Sequence, residues 1–245
     1  MQGEGNGVVR RAIVDPLFYI LTVTSVLCAI LVSFRTSRVE AMDLRFLIWN
    51  LFLAWLPLAF SMAALAWARI AKGASLTVGL CVCGVAWLLL FPNAPYLMTD
   101  LIHLIFAGRW LYYDVDGLLL WFDLVLVFLF TWCGMLLGYV SMNQIHAIVR
   151  HYWDSVIGWA FVIATSMLGG FGVYLGRIVR LNSWDVLHPL RIVDDVIDAI
   201  HYNSIAFSIL FGTLILIVYI SLYAITLQSR RNPQAPQVAP RSSSL

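Results

Sequence analysis

Charge is scarce in this chain. Only 11% of its 245 residues are Asp, Glu, Lys or Arg, where a soluble domain carries nearer a quarter. That shortage excludes a soluble globular enzyme and a disordered chain. A net charge of +2 with fifteen basic residues supplies no phosphate-binding stripe, so a nucleic-acid partner is excluded as well. Cysteine is equally uninformative: Cys28, Cys81, Cys83 and Cys133 all lie in apolar runs, where a thiol behaves as a small hydrophobe. Cys81 and Cys83 would point to nearly opposite faces of a helix and have too little between them for half of a zinc site.

What is abundant is apolar length. Hydrophobic residues make up 62% of the sequence, and six runs approach or exceed the ~20 helical residues that cross a bilayer core: Pro16 to Phe34, Leu44 to Ala66, Leu76 to Phe91, Gly117 to Val140, Val156 to Gly176 and Asn203 to Leu227. The expected fold is an all-α integral membrane protein of six transmembrane helices. The third run is short and ends in Pro92-Asn93-Ala94-Pro95, whose prolines predict a break followed by a short interfacial or re-entrant helix. Residues 1–15 read as a cytoplasmic N-terminal segment, 16–227 as the membrane domain, and 228–245, rich in Pro and Ser, as a disordered cytoplasmic tail. The first run is too long for a signal-peptide core and is followed by no small-residue cleavage site, so it reads as an uncleaved anchor.

Six spans put the N-terminus, the second and fourth loops and the tail on one side, with eight basic residues, and the first, third and fifth loops on the other, with seven. Four of those seven, Arg109, Arg177, Arg180 and Arg191, sit among aspartates and read as site residues. Discounting them, the positive-inside rule places both termini in the cytoplasm. Ten of the thirteen acidic residues fall on the opposite, outer side.

Both polar motifs fall on that outer side. After the prolines, Tyr96, Thr99, Asp100 and His103 recur at helical spacing opposite Leu97, Leu101 and Leu104, with Asn93 placed to cap the helix. Asp100-x-x-His103 has the one-turn spacing of helical metal ligands and of acid–base pairs; an ordinary wet helix face would look the same. The second motif follows Gly169-Gly170-Phe171-Gly172, glycines that lie inside a transmembrane run and suit close helix packing, not a nucleotide. Beyond them Tyr174, Arg177 and Arg180 share a face and lead into Asn182, Ser183 and Asp185. Such arginines could snorkel to lipid phosphates, bind a phosphate or carboxylate, or neutralise Asp100. Asp123 is the one acid inside a span and predicts a partner among the outer-side arginines. Residues 188–201 read as an amphipathic helix opened by Pro189, on which Asp194, Asp198 and His201 could hold a divalent cation or could be only its wet face. The loop spanning 141–155 reads as ordinary interface, with Tyr152 and Trp153 as aromatic anchors.

The run Asn93-Ala-Pro-Tyr-Leu-Met-Thr-Asp-Leu-Ile-His-Leu104, followed in order by Gly172-Val-Tyr-Leu-Gly-Arg-Ile-Val-Arg-Leu-Asn-Ser-Trp-Asp185, resembles a bacterial family of polytopic membrane proteins known as domain of unknown function 1361. The resemblance implies a multi-pass protein of the bacterial cytoplasmic membrane, with motif positions Asn93, Tyr96, Asp100, His103, Tyr174, Arg177, Arg180, Asn182, Ser183, Trp184 and Asp185. It brings no reaction. Three functions remain open from the residues: an enzyme in which Asp100 and His103 do acid–base or metal chemistry on a lipid-linked or amphiphilic anionic substrate held by Asn93, Tyr96, Tyr174, Arg177, Arg180, Asn182 and Asp185; a non-catalytic binding or assembly subunit; and a small-solute transporter, which five spans without interior charge and the lack of an internal repeat disfavour. Membrane lipid is the expected partner.

Overall fold

The computed structural model describes residues 16–38, 43–105, 117–180 and 199–231. Among these the fold is helical: α1 (Pro16–Arg38), α2 (Phe46–Ile70), α3 (Gly73–Leu90), a short α4 (Asn93–Tyr96), α5 (Gly117–Tyr152), α6 (Ser155–Tyr174) and α7 (Tyr202–Arg231). Six helical runs are long and apolar enough to cross a membrane, and the chain is a multi-pass membrane protein. Helices are the required solution here, since a bilayer offers no water to satisfy an unpaired N–H or C=O. Exposed side chains such as Val78, Leu118 and Val156 form the apolar exterior that lipid covers.

Helices alternate in direction, so the ends of α1, α3 and α6 lie with the beginnings of α2, α5 and α7. This odd-loop end holds Arg35, Asn50, Asp100, Asp123, Arg177 and His201. The even-loop end holds Arg69, Lys72, Arg150 and Asp154. Two apolar clusters fill the interior. One, near the odd-loop end, joins α1, α2 and α5 through Leu21, Val32, Leu47, Leu97, Leu126 and Phe130. The other, toward the even-loop end, joins α3, α5, α6 and α7 through Trp87, Phe91, Met142, Val162 and Tyr219.

Glycines set the tightest contacts, as their membrane context predicts. A Cβ on Gly170 would stand 2.5 Å from the Ser208 carbonyl oxygen and 2.6 Å from the Gly212 nitrogen of α7. A Cβ on Gly172 would stand 2.3 Å from Pro92 Cγ, so the second motif makes the socket into which the first motif's proline fits.

One boundary differs widely from the sequence expectation, the others by a few residues. α5 does not stop at Val140 but runs 36 residues to Tyr152, because His146 is buried and its Nδ1 lies 2.6 Å from the Tyr219 hydroxyl. Polar residues read as a loop are thus part of the helix, and His146 is interior, not interfacial. The prolines break the third span where expected: α3 closes at Leu90 and, across a turn, the short α4 follows. Phe91, Pro92, Leu97 and Ile102 keep right-handed helical dihedrals, with a 3₁₀ segment at Leu97–Leu101. The span runs Gly73–Ile105 and advances toward the odd-loop end along α5, since Gly138 lies near Phe91 and Thr131 bonds the Leu97 carbonyl.

Candidate functional site

Prolines at 92 and 95 have no N–H to give to the carbonyls of Leu88 and Phe91, and the backbone pairing shifts around them. Side-chain donors on and around the segment that follows build the site. Asn93 does not cap a helix; its side-chain amide donates back to the Leu90 carbonyl at 2.9 Å, because the Ala94 N–H is drawn to Phe91 in place of the missing Pro95 N–H. The Thr99 hydroxyl donates to the Tyr96 carbonyl at 2.7 Å, and Thr131 of α5 reaches the Leu97 carbonyl at 3.1 Å. The Thr99 carbonyl, which already accepts from the Ile102 N–H, takes a second donor from another span: Arg177 Nη2 at 3.2 Å.

Arg177 is the centre of the arrangement. Its Nη1 donates to Asp100 Oδ1 at 3.1 Å and to the Tyr96 hydroxyl at 3.3 Å, and its Nη2 also meets His103 Nε2 at 3.0 Å. The guanidinium carbon stands 5.7 Å from the Tyr96 ring centroid. Asp100 is wholly buried, and its second oxygen accepts from Asn50 Nδ2 of α2 at 3.0 Å. Four of the five guanidinium donors are thereby committed. A guanidinium can only donate, so His103 Nε2 is the acceptor, which assigns a neutral ring with its proton on Nδ1. Asp100 and His103, the sequence candidates for an acid–base or metal pair, are 3.9 Å apart at Oδ1 and Nε2. That is beyond hydrogen-bond reach; they communicate through Arg177.

A local widening of α6 aims this arginine. After Tyr174 the helix passes into a π-helical segment, Leu175–Val179, and ends at Arg180, whose φ of 65° is left-handed and whose N–H bonds the Leu175 carbonyl. In an unbroken α-helix, residues seven apart differ by only about 20°, so Arg177 would follow Gly170 toward α7. Extra residues per turn in the π-segment retard it by some tens of degrees, toward the Gly172 side where Pro92 and Asp100 lie. Bulges of this kind recur at functional sites.

The other candidates scatter around this centre. The Tyr174 hydroxyl, buried, lies 3.2 Å from His201 Nε2. Arg180 is exposed, and its side chain has no hydrogen-bond partner among the described residues. Asn182, Ser183, Trp184, Asp185, Asp194, Asp198 and nearly all of the 188–201 amphipathic helix lie outside the described residues. Among the described residues no group of three His, Cys, Asp or Glu side chains is placed to hold a metal ion.

A second ionic contact lies at the same end. Arg35 of α1 grips Asp123 of α5 with Nε to Oδ1 at 3.1 Å and Nη2 to Oδ2 at 2.8 Å, both side chains 1% exposed. Asp123 thus has the arginine partner its position demanded. Nothing local in the sequence marks Arg35 for the role, since the two are 88 residues apart, and the helix that carries it runs past the apolar stretch to Arg38. Asn50 was also missed, although a lone amide inside an apolar run is a readable signal. At the surface, Arg45 bonds Asp43 at 2.8 Å and holds that carboxyl down at about 2 by hydrogen bonding and charge.

The arrangement can hold a fixed cation and a neutral imidazole of known tautomer at a partly open rim, with Arg180 beyond it. No curated protein and no solved structure matches the chain significantly. The family described as "Protein of unknown function (DUF1361)" matches residues 49–218, a stretch that holds Asn50, the proline segment, the glycine socket and Arg177, and the chain belongs to that family.

Proposed function

We propose that this is a non-catalytic binding or assembly protein of a bacterial cytoplasmic membrane, with both termini cytoplasmic and the Asp100–Arg177 end turned outward to receive an anionic headgroup. One observation carries the reading: Arg177 spends four donors closing a network around a wholly buried Asp100. A carboxylate held that way has no open face for a substrate, and His103 Nε2 is already occupied. These groups are a scaffold. The headgroup is left to Arg180, the Tyr174–His201 pair and the Nδ1–H of His103, a rim of donors suited to phosphate or carboxylate. The orientation is supported by the engagement of Arg35, Arg45 and Arg177 with aspartates, which removes these cations from the count that steers topology.

The test compares a deletion strain complemented with wild type, Asp100→Asn or Arg180→Gln. A scaffold role predicts that Asp100→Asn loses folded protein, since stranding a desolvated charge costs about 3–5 kcal/mol, while Arg180→Gln stays abundant and loses complementation. Total lipid profiles should be unchanged in the deletion strain. Abundant, stable Asp100→Asn protein without function, together with accumulation of a lipid precursor, would establish turnover and overturn the reading.

A further inference from the structure

The even-loop end carries a feature unrelated to the polar site. An open groove of about 570 Å³ runs between α3 and the α5–α6 pair. α3 is poorly covered by the rest of the bundle: of its 18 residues only Trp87 is buried. The groove follows α3 from Leu76 and Thr77, past Leu80 and Gly84, to a floor at Trp87, which stacks on Phe161 of α6. At 1.5 Å per residue, Leu76 to Leu88 spans about 18 Å, close to the roughly 15 Å of one leaflet's hydrocarbon.

Its length and lining point to the occupant. The groove is about as long as one leaflet's hydrocarbon is deep and is lined almost wholly by apolar side chains open to the bilayer, which suits an extended acyl chain lying along α3. The mouth is built differently from the floor. Tyr152 and Trp153, both exposed, end α5 there, as aromatic residues do at a membrane interface. Lys72, exposed, stands just before α3, and Arg69 near the end of α2 has a buried Nη2 with no hydrogen-bond partner. The described acid at this end, Asp154, is committed to the Ile157 N–H as the cap of α6.

We propose that this groove is a binding site for an anionic phospholipid of the even-loop leaflet, its acyl chain lying on Leu80, Gly84 and Trp87 and its phosphate held by Lys72 and Arg69. Lys72, exposed four residues before Leu76, and the Arg69 guanidinium, whose buried Nη2 has no hydrogen-bond partner among the described residues, supply the charge complement for a headgroup. The site is distinct from the polar rim at the opposite end and does not depend on what that rim binds.

Native mass spectrometry of the full chain, extracted from vesicles of equal phosphatidylglycerol and phosphatidylethanolamine, should show one retained phospholipid, enriched several-fold in phosphatidylglycerol. Gly84→Phe fills the groove where a Cβ meets nothing within 4 Å and should lower occupancy at least tenfold. Lys72→Gln combined with Arg69→Gln should leave a lipid bound but return the headgroup ratio to that of the vesicle. Should Gly84→Phe not fold, the wild-type protein decides alone: phosphatidylglycerol with a photoreactive group in mid-chain should label 76–88 and 145–153. Labelling confined to other segments, occupancy unchanged by Gly84→Phe, or a dimer that Gly84→Phe turns into a monomer, would overturn the proposal.

Discussion

The buried Arg35–Asp123 pair offers a sharp test of how α1 is held. The residues that α1 buries are Leu21, Cys28, Val32 and Arg35, a single stripe along an otherwise lipid-covered helix, and Arg35 ends that stripe. Both charged side chains are 1% exposed and joined in a two-point grip. Asp123→Asn or Arg35→Met alone breaks a buried ion pair, which costs about 3–5 kcal/mol. At 1.4 kcal/mol per decade that is a loss of roughly 10²- to 10³-fold in the folded-to-unfolded ratio. For a chain of this size each kcal/mol moves the melting point by about 2–4 °C, so each single variant should melt roughly 10 °C lower. The double variant Arg35→Met, Asp123→Leu removes both charges and fills a similar volume, and should return close to wild type or above it. Melting in one detergent, followed by helical signal for wild type, both singles and the double, measures the coupling. Single variants that melt with wild type, or a double no better than the sum of the singles, would refute the claim that this pair anchors α1.

Gly170→Ala should lower stability by about 1–3 kcal/mol through overpacking, because its Cβ would meet α7 backbone at 2.5 and 2.6 Å, whereas Gly84→Ala, in open space, should be neutral or gain up to about 1 kcal/mol of helix propensity; detergent melting separates them. Arg180→Gly should raise stability by about 1 kcal/mol, since glycine occupies the left-handed position at φ 65° without the Cβ penalty, and should at the same time weaken retention of an anionic amphiphile measured in nanodiscs. Asp154→Ala removes the side chain that accepts the Ile157 N–H at 2.7 Å and should cost about 1 kcal/mol of melting stability.

Hydropathy made the six spans legible, because a bilayer imposes a length and an apolar surface that side-chain order alone displays. Charge made the meeting of Asp100 with Arg177 legible: a buried carboxylate and an arginine on one side of a small bundle have few other partners. Tertiary partners were the part that did not show. His146 looks like a loop residue until Tyr219, 73 residues away, is placed against it, and Arg35 looks like a flank residue until Asp123 is. The proline run reads correctly as a break followed by a short helix, but the donors that hold the chain there, Asn93, Thr131 and Arg177, come partly from other helices and leave no mark in the run itself. The π-segment leaves no compositional mark at all, since Leu-Gly-Arg-Ile-Val reads as ordinary helix.

That widened turn holds one residue more than its rise requires, so α6 carries a stored insertion. Deleting Ile178 or Val179 would discharge it, restoring a regular helix while Gly170, Gly172 and Arg177, which precede the deletion, keep their register. The arginine would then swing back toward α7 by the angle the bulge had set, and Asp100 would lose its cation although every side chain in the network was still present. In this fold the length of one five-residue segment is as much a determinant of the site as the identity of any residue in it, and relatives that keep the arginine but shorten that segment should not assemble the same network.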